Sequence, residues 1–138
     1  MFKRNCLSVQ HDITLKKLVE TVLQTKSKYD EFGLTLVKKE NKFVGLISRG
    51  DFISLLYRDE CKSMQIHDLM NKNPIVFTID SPYENGWYQE LYDFLIKLKK
   101  VPTIIPVINR KGEIISAIDA AAFLASRSRV TKIAVYGL

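Results

Sequence analysis

The residues best placed to do chemistry stand together at one junction: Gly45, Leu46, Ile47, Ser48, Arg49, Gly50 and Asp51. Ser48 and Asp51 lie three apart where an apolar stretch gives way to an amphipathic one. That spacing has two readings. Ser or Asp at a helix start is a common N-cap, its oxygen accepting a hydrogen bond from a backbone N–H of the first turn. Alternatively, a carboxylate can accept two hydrogen bonds from the vicinal hydroxyls of a sugar, with a nearby hydroxyl adding one more. The unpaired N–H groups of a helix start also favour an anion. Gly45 would leave room for a flat ring to approach the strand backbone. Both readings stay open on the residues alone.

The other chemistry-bearing side chains are isolated. Cys6, Cys61, His11 and His67 show no CxxC or metal-ligand spacing. Two reduced thiols in a cytoplasmic protein and no metal site are the expectation. The chain has no GxSxG, Walker loop or HExxH, so no intrinsic catalysis is expected.

The junction lies inside an internal repeat. Residues 34–48 read as apolar strand, polar turn, apolar strand, and so do residues 105–119. Without a gap, Thr35 falls on Pro106, Val37 on Ile108, Val44 on Ile115 and Ile47 on Ile118. Turns are expected at 38–42 and 109–112, each making a β-hairpin. An amphipathic helix precedes each hairpin. In the first half it carries Leu15, Leu18, Val19, Val22 and Leu23, started by Asp12 or Thr14. In the second, residues 81–84 form a capping box with Pro82 at the first helical position, and Tyr83, Trp87, Leu91, Phe94, Leu95 and Leu98 make the apolar face. A short helix follows each hairpin, one from Asp51 with Phe52, Ile53, Leu55 and Leu56, the other from Asp119 through residues 120–124. Extended segments at 7–9 and 74–77 open the two halves. The unit is strand, helix, strand, strand, helix, twice. Neither copy of about 60 residues has much core alone. The fold class is therefore α/β (α+β), two β-α-β-β-α repeats packed sheet against sheet with pseudo-two-fold symmetry. The expected division is repeat 1 at 5–60, a connector at 61–73 with a short helix or turn around Ile66, Leu69 and Met70, repeat 2 at 74–126, and a tail at 127–138.

Of 138 residues, 46% are hydrophobic and 26% charged, ordinary for a globular protein. No apolar run approaches the ~18 residues of a membrane span, and the start reads as no secretory signal. The net charge of +6 suits an anionic ligand, but the lysines are scattered, so a solvated surface rather than a nucleic-acid stripe is expected.

The repeat order, with Ile66 to Met70 and Asn73-Pro74 ahead of the second copy, resembles a tandem CBS-domain pair, or Bateman module, over about residues 5–126. The segment 43–53 is similar to that family's signature of Gly, two apolar positions, Ser or Thr, two variable positions and Asp. The resemblance implies a non-catalytic regulatory module that binds AMP, ADP, ATP or S-adenosylmethionine between the repeats. No cofactor would be required. Asp51 and Ser48 would hold the ribose, Arg49 would reach a phosphate, and the adenine would lie against Ser8, Val9 and Ile47, beside Gly45 and Leu46. The second copy departs from the pattern: Gly45 meets Ser116, Ser48 meets Asp119 and Asp51 meets Ala122. One competent site is expected. The second cleft, walled by Thr103, Ile104 and Pro106, would be empty, closed by a side chain such as Phe123, or used for phosphate contacts, with Asp119 as a cap. The family also implies homodimers through the helices after each hairpin, here by Phe52, Leu55, Leu56, Phe123 and Leu124. A ligand-free interaction module is the alternative.

The tail reads as a polar linker at 126–129, then an apolar segment at 132–138. That segment is expected to add a strand or to open an attached enzyme domain of Rossmann type, though it has no phosphate-binding loop.

Overall fold

The structure is a computed structural model and describes residues 3–29, 32–80 and 87–135. The predicted unit occurs twice. Repeat 1 contains β2 (Leu7–Gln10), α1 (Leu15–Thr25), β3 (Thr35–Lys39), β4 (Lys42–Ile47) and α2 (Arg49–Leu56). Repeat 2 contains β5 (Phe77–Ile79), α3 (Trp87–Ile96), β6 (Ile104–Asn109), β7 (Ile114–Asp119) and α4 (Ala120–Val135). In each copy the first strand runs parallel to the second, which turns back antiparallel into the third. A short β1 (Lys3–Arg4) crosses over and pairs with β7, so the sheets run β2-β3-β4 and β1-β7-β6-β5.

Each helix packs the face its spacing predicts. Leu15, Leu18 and Val22 of α1 are buried against Val37, Ile47, Phe52 and Leu55. Leu91 and Leu95 of α3 are buried with Ile105, Val107, Ile118 and Phe123. Leu23, at 55% exposed, and Ile53 and Leu56 of α2, at 45% and 39%, are exceptions that lie off the buried stripes. Thr14, not Asp12, caps α1, its Oγ1 accepting from Lys17 N–H at 3.2 Å. The expected capping box at 81–84 and Tyr83 fall outside the described residues.

The register corrects the gap-free alignment. Thr35 pairs with Ile47, and Ile105 pairs with Ile118. Thr35 therefore corresponds to Ile105, and Leu36, not Thr35, to Pro106. The extra residue of repeat 2 sits in its turn, where Gly112 takes a left-handed φ of 84°. The tighter first turn puts Glu40 at φ 56°, held by the Gln10 carboxamide through two 3.1 Å bonds to the Glu40 backbone. Both hairpins carry a register shift at the same place, Val37/Lys38 and Val107/Ile108.

Three further expectations change. The second extended entry shifts from 74–77 to β5. The helix after the first hairpin begins at Arg49, so Asp51 lies within its first turn. Residues 127–135, expected as linker and strand, continue α4, and 136–138 lie outside the described residues. The run from Ala120 to Ala125 has strong helix formers and no Gly or Pro to stop it.

The connector forms two 3-10 turns, Asp59–Cys61 and Ile66–Asp68. It docks on repeat 1 through backbone bonds: Leu15 N–H to Met64 O at 2.9 Å, Ile66 N–H to Ile13 O at 2.9 Å, and His67 N–H to His11 O at 3.0 Å. It ends against β4, where Leu46 and Asn71 exchange two hydrogen bonds of 3.1 and 2.8 Å.

Candidate functional site

A cavity of about 580 Å³ opens where the two repeats and the connector meet. Repeat 1 supplies Leu34, Leu46, Ser48, Arg49 and Gly50. The connector and the entry to repeat 2 supply Asn71, Asn73, Pro74 and Ile75, and the start of β6 adds Pro102, Thr103 and Ile104. The volume lies in the range of small-molecule sites. The wall is an apolar slot of Leu34, Leu46, Ile75 and Ile104, rimmed by hydroxyls, two carboxamides and one guanidinium.

The local chemistry follows from the strand-to-helix turn. Ser48 leaves β4 extended and caps α2, its Oγ accepting from Asp51 N–H at 3.1 Å. The capping reading of Ser48 is thus realised, and its hydroxyl proton stays available to donate. Asp51 is exposed in the first turn of α2 and lies outside the residues lining the cavity.

Five of the expected site residues come together: Leu46, Ser48, Arg49, Thr103 and Ile104. Thr103 and Ile104 were assigned to a second cleft, yet they face Ser48 across this one. The others lie elsewhere. Ile47 is buried in the first core and Val9 packs against it. Ser8 is half-buried on β2, and Pro106 is buried in β6. Neither lines the cavity.

Gly45 has a different reason from the one expected. A Cβ there would stand 2.6 Å from the Asn71 carbonyl oxygen and 2.8 Å from Met70 Sδ. The room above this glycine is filled by the connector, not kept for a ring. Asn71, Asn73 and Pro102 were missed as site residues. The X-Pro pairs Asn73-Pro74 and Val101-Pro102 are the signal that marks them, since each biases the chain toward an extended entry.

The pseudo-equivalent end of repeat 2 is differently occupied. Asp119 takes the place of Ser48 and caps α4, accepting from Ala122 N–H at 2.9 Å. Its other oxygen accepts from Arg4 Nη2 at 2.7 Å. Arg4 thus engages Asp119, while Phe123, expected as one side chain that could close the second cleft, is buried in the second core. A shallower cavity of about 410 Å³ lies beside it, lined by Lys3, Arg4, Asn5, Cys6, Leu36 and residues 114–117, and not by Thr103, Ile104 or Pro106.

Burial acts to raise the Asp119 pKa, but the Ala122 N–H bond and the Arg4 guanidinium outweigh it and hold the carboxyl below its ordinary value. A carboxyl with a depressed folded-state pKa contributes stability above its unfolded pKa of about 3.9, and loses it as pH falls through the folded value. Asp119→Asn should therefore melt lower than the parent at neutral pH, with the gap closing below about pH 4. A constant gap in melting temperature between pH 7 and pH 3 would contradict the pairing.

His11 and His67, far apart in sequence, meet edge-to-face with ring centroids 5.5 Å apart. Among the described residues no group of three or more His, Cys, Asp or Glu could hold a metal, and no helix is long and apolar enough to cross a membrane.

Residues 1–58 match the family model of the CBS domain. No curated protein matches the chain in sequence. Solved structures share its fold, among them these three. The cytosolic domain of the Mg2+ channel MgtE in complex with ATP superposes with a TM-score of 0.67 at 15% identity, over 88% of this chain and 44% of that one. Staphylococcus aureus OpuCA gives 0.61 at 13% identity, over 91% of this chain and 94% of that one. CBSX2 in complex with AMP gives 0.62 at 16% identity, over 94% of each. The chain thus spans less than half of the MgtE domain and nearly all of the other two.

Proposed function

We infer, for a chain with a CBS domain at residues 1–58 and the fold of a CBS-domain pair over its length, that it is a non-catalytic regulatory module binding an adenine nucleotide. The observation that carries this reading is the cavity between the repeats, where Ser48 and Arg49 of one copy face Thr103 and Ile104 of the other. We take residues 5–60 and 74–126 as the two repeats, with 61–73 between them. In the proposed pose the adenine slides between Leu46 and Ile104. Ser48 and, at the rim, Asp51 take the ribose hydroxyls, and Arg49 takes phosphate. A ligand held by both copies favours the arrangement in which both grip it, which is how binding would change an attached or partner protein. CBS-domain proteins solved with ATP and with AMP support the ligand class.

A second reading, a dimerising module, has its own support. Ile53 is 45% exposed, Leu56 39% and Tyr57 85%, spaced along one side of α2. Of the residues expected at a dimer contact, Leu56 is thus exposed and Leu124 is half-buried against the second core, while Phe52, Leu55 and Phe123 are 1%, 6% and 1% exposed, within the chain's own cores. Melting curves with AMP and ATP decide the first reading. A ligand at a hundred times its Kd should add about 2.7 kcal/mol of stability. No shift with any adenine compound, together with dimers in sedimentation that ignore nucleotide, would leave the second reading in place. An Asp51→Ala variant that binds like the parent would remove Asp51 from the site.

A further inference from the structure

Two histidines that are isolated in the sequence are neighbours in the fold. His11 follows β2 on the way to α1, and His67 lies in the second 3-10 turn of the connector. Hydrogen bonds fix both backbones: His11 N–H donates to Lys38 O at 2.9 Å and His67 N–H to His11 O at 3.0 Å, with Ile66 N–H to Ile13 O at 2.9 Å alongside. The two rings meet edge-to-face with centroids 5.5 Å apart. In each ring Nδ1 is buried and has no hydrogen-bond partner among the described residues. Such an atom is costly to leave unpaired, and a water or an ion is a common explanation for one. Here two of them belong to rings in contact.

We propose that His11 and His67 form a two-imidazole site for a transition-metal cation of the Zn2+ and Ni2+ class, which staples the connector to repeat 1. Imidazole nitrogen suits these ions, whereas Mg2+ and Ca2+ take oxygen ligands. The spacing fits. With metal–nitrogen bonds of about 2.0–2.1 Å and a tetrahedral angle, two imidazole centroids on one ion stand about 5.2 Å apart. Those of His11 and His67 are 5.5 Å apart. Rotation about the bond from Cβ to the ring, a broad torsion, decides which nitrogens converge. Among the described residues no third His, Cys, Asp or Glu joins the pair, so water fills the remaining positions. Two protein ligands make a reversible site, unlike the four of a structural zinc. Neither histidine lines the cleft between the repeats, so the site does not depend on the nucleotide reading. The connector it would hold runs on to Asn71 and Asn73, which do line that cleft.

The test is thermal melting of the intact chain with Zn2+, Ni2+ or Mg2+, repeated on His11→Gln and His67→Gln, together with NMR of the histidine rings during a Ni2+ titration. At ten times its Kd, Zn2+ or Ni2+ should raise the melting temperature of the parent by about 5 °C, and Mg2+ should leave it unchanged. Each variant should lose that rise. The NMR arm needs no variant, and so decides the matter if a substitution fails to fold. The chain has two histidines, and Ni2+ should broaden the ring signals of both together at the first additions. No rise with either Zn2+ or Ni2+ overturns the proposal and leaves the buried nitrogens to water. An equal rise with Mg2+, a rise that survives in either variant, or broadening of one ring alone overturns it as well.

Discussion

Phe52→Ala should lower stability by about 3–5 kcal/mol, the usual cost of emptying a buried aromatic site. Phe52 is 1% exposed and is among the largest fully buried side chains. It packs with Leu15, Leu18, Val37 and Ile47 in the first core, and Phe32 meets it edge-on at a centroid distance of 6.3 Å. Domains of this size hold only about 5–15 kcal/mol in all. The variant should therefore melt on the order of 10–20 °C lower. Leu56→Ala, four residues along the same helix but 39% exposed, should cost well under ~1 kcal/mol. Thermal melting of the two variants side by side makes the measurement. Equal, small losses would mean that Phe52 faces outward, as the dimer expectation required, and would contradict the packing of α2.

Gly45→Ala should be the most damaging of the glycine changes among the described residues. The added methyl would meet the Asn71 carbonyl at 2.6 Å, and that oxygen is backbone, accepting from Leu46 N–H at 3.1 Å. It cannot swing aside as a side chain would. Met70 Sδ at 2.8 Å blocks the neighbouring space. Forcing a methyl into such a site costs about 1–3 kcal/mol. Beyond stability, the segment displaced carries Asn71 and Asn73, which line the cleft, so affinity for the proposed nucleotide should fall with it. Gly50→Ala is the control. A Cβ there meets nothing within 4 Å, and alanine favours a helix over glycine by about 0.5–1 kcal/mol. It should be neutral or stabilising. A Gly45→Ala protein with the parent's melting temperature and affinity would show that the connector does not close over β4.

Local pattern made the elements readable. Apolar spacing of three and four marked α1, α3 and α2, alternation marked the hairpins, and a turn glycine marked Gly112. These depend on neighbours within a turn or two, which is the range that side-chain periodicity reports. The alignment of the copies was off by one residue in the first hairpin strand, because the inserted residue lies in a polar turn that carries no apolar pattern. At 132–135 the apolar residues resembled a strand, but nothing from Ser126 to Val135 breaks the helix already begun at Ala120.

The cleft was legible only in part, on the side that belongs to one junction. Ser48 and Arg49 could be named because cap and strand end are local features. What stands across from them is decided by the docking of the second repeat and by the path of the connector. Sequence alone determined that this chain is a duplicated strand-helix-hairpin-helix unit with one intact junction and one altered at Ser116, Asp119 and Ala122. Only the tertiary structure decided that Gly45 faces the connector, that Thr103 and Ile104 complete the Ser48 cleft, and that Arg4 holds Asp119. The physical reason is range. Caps and amphipathic stripes are written in adjacent residues, whereas a cleft between repeats is set by hydrogen bonds such as Asn71 to Leu46 and ion pairs such as Arg4 to Asp119, whose partners no spacing rule connects.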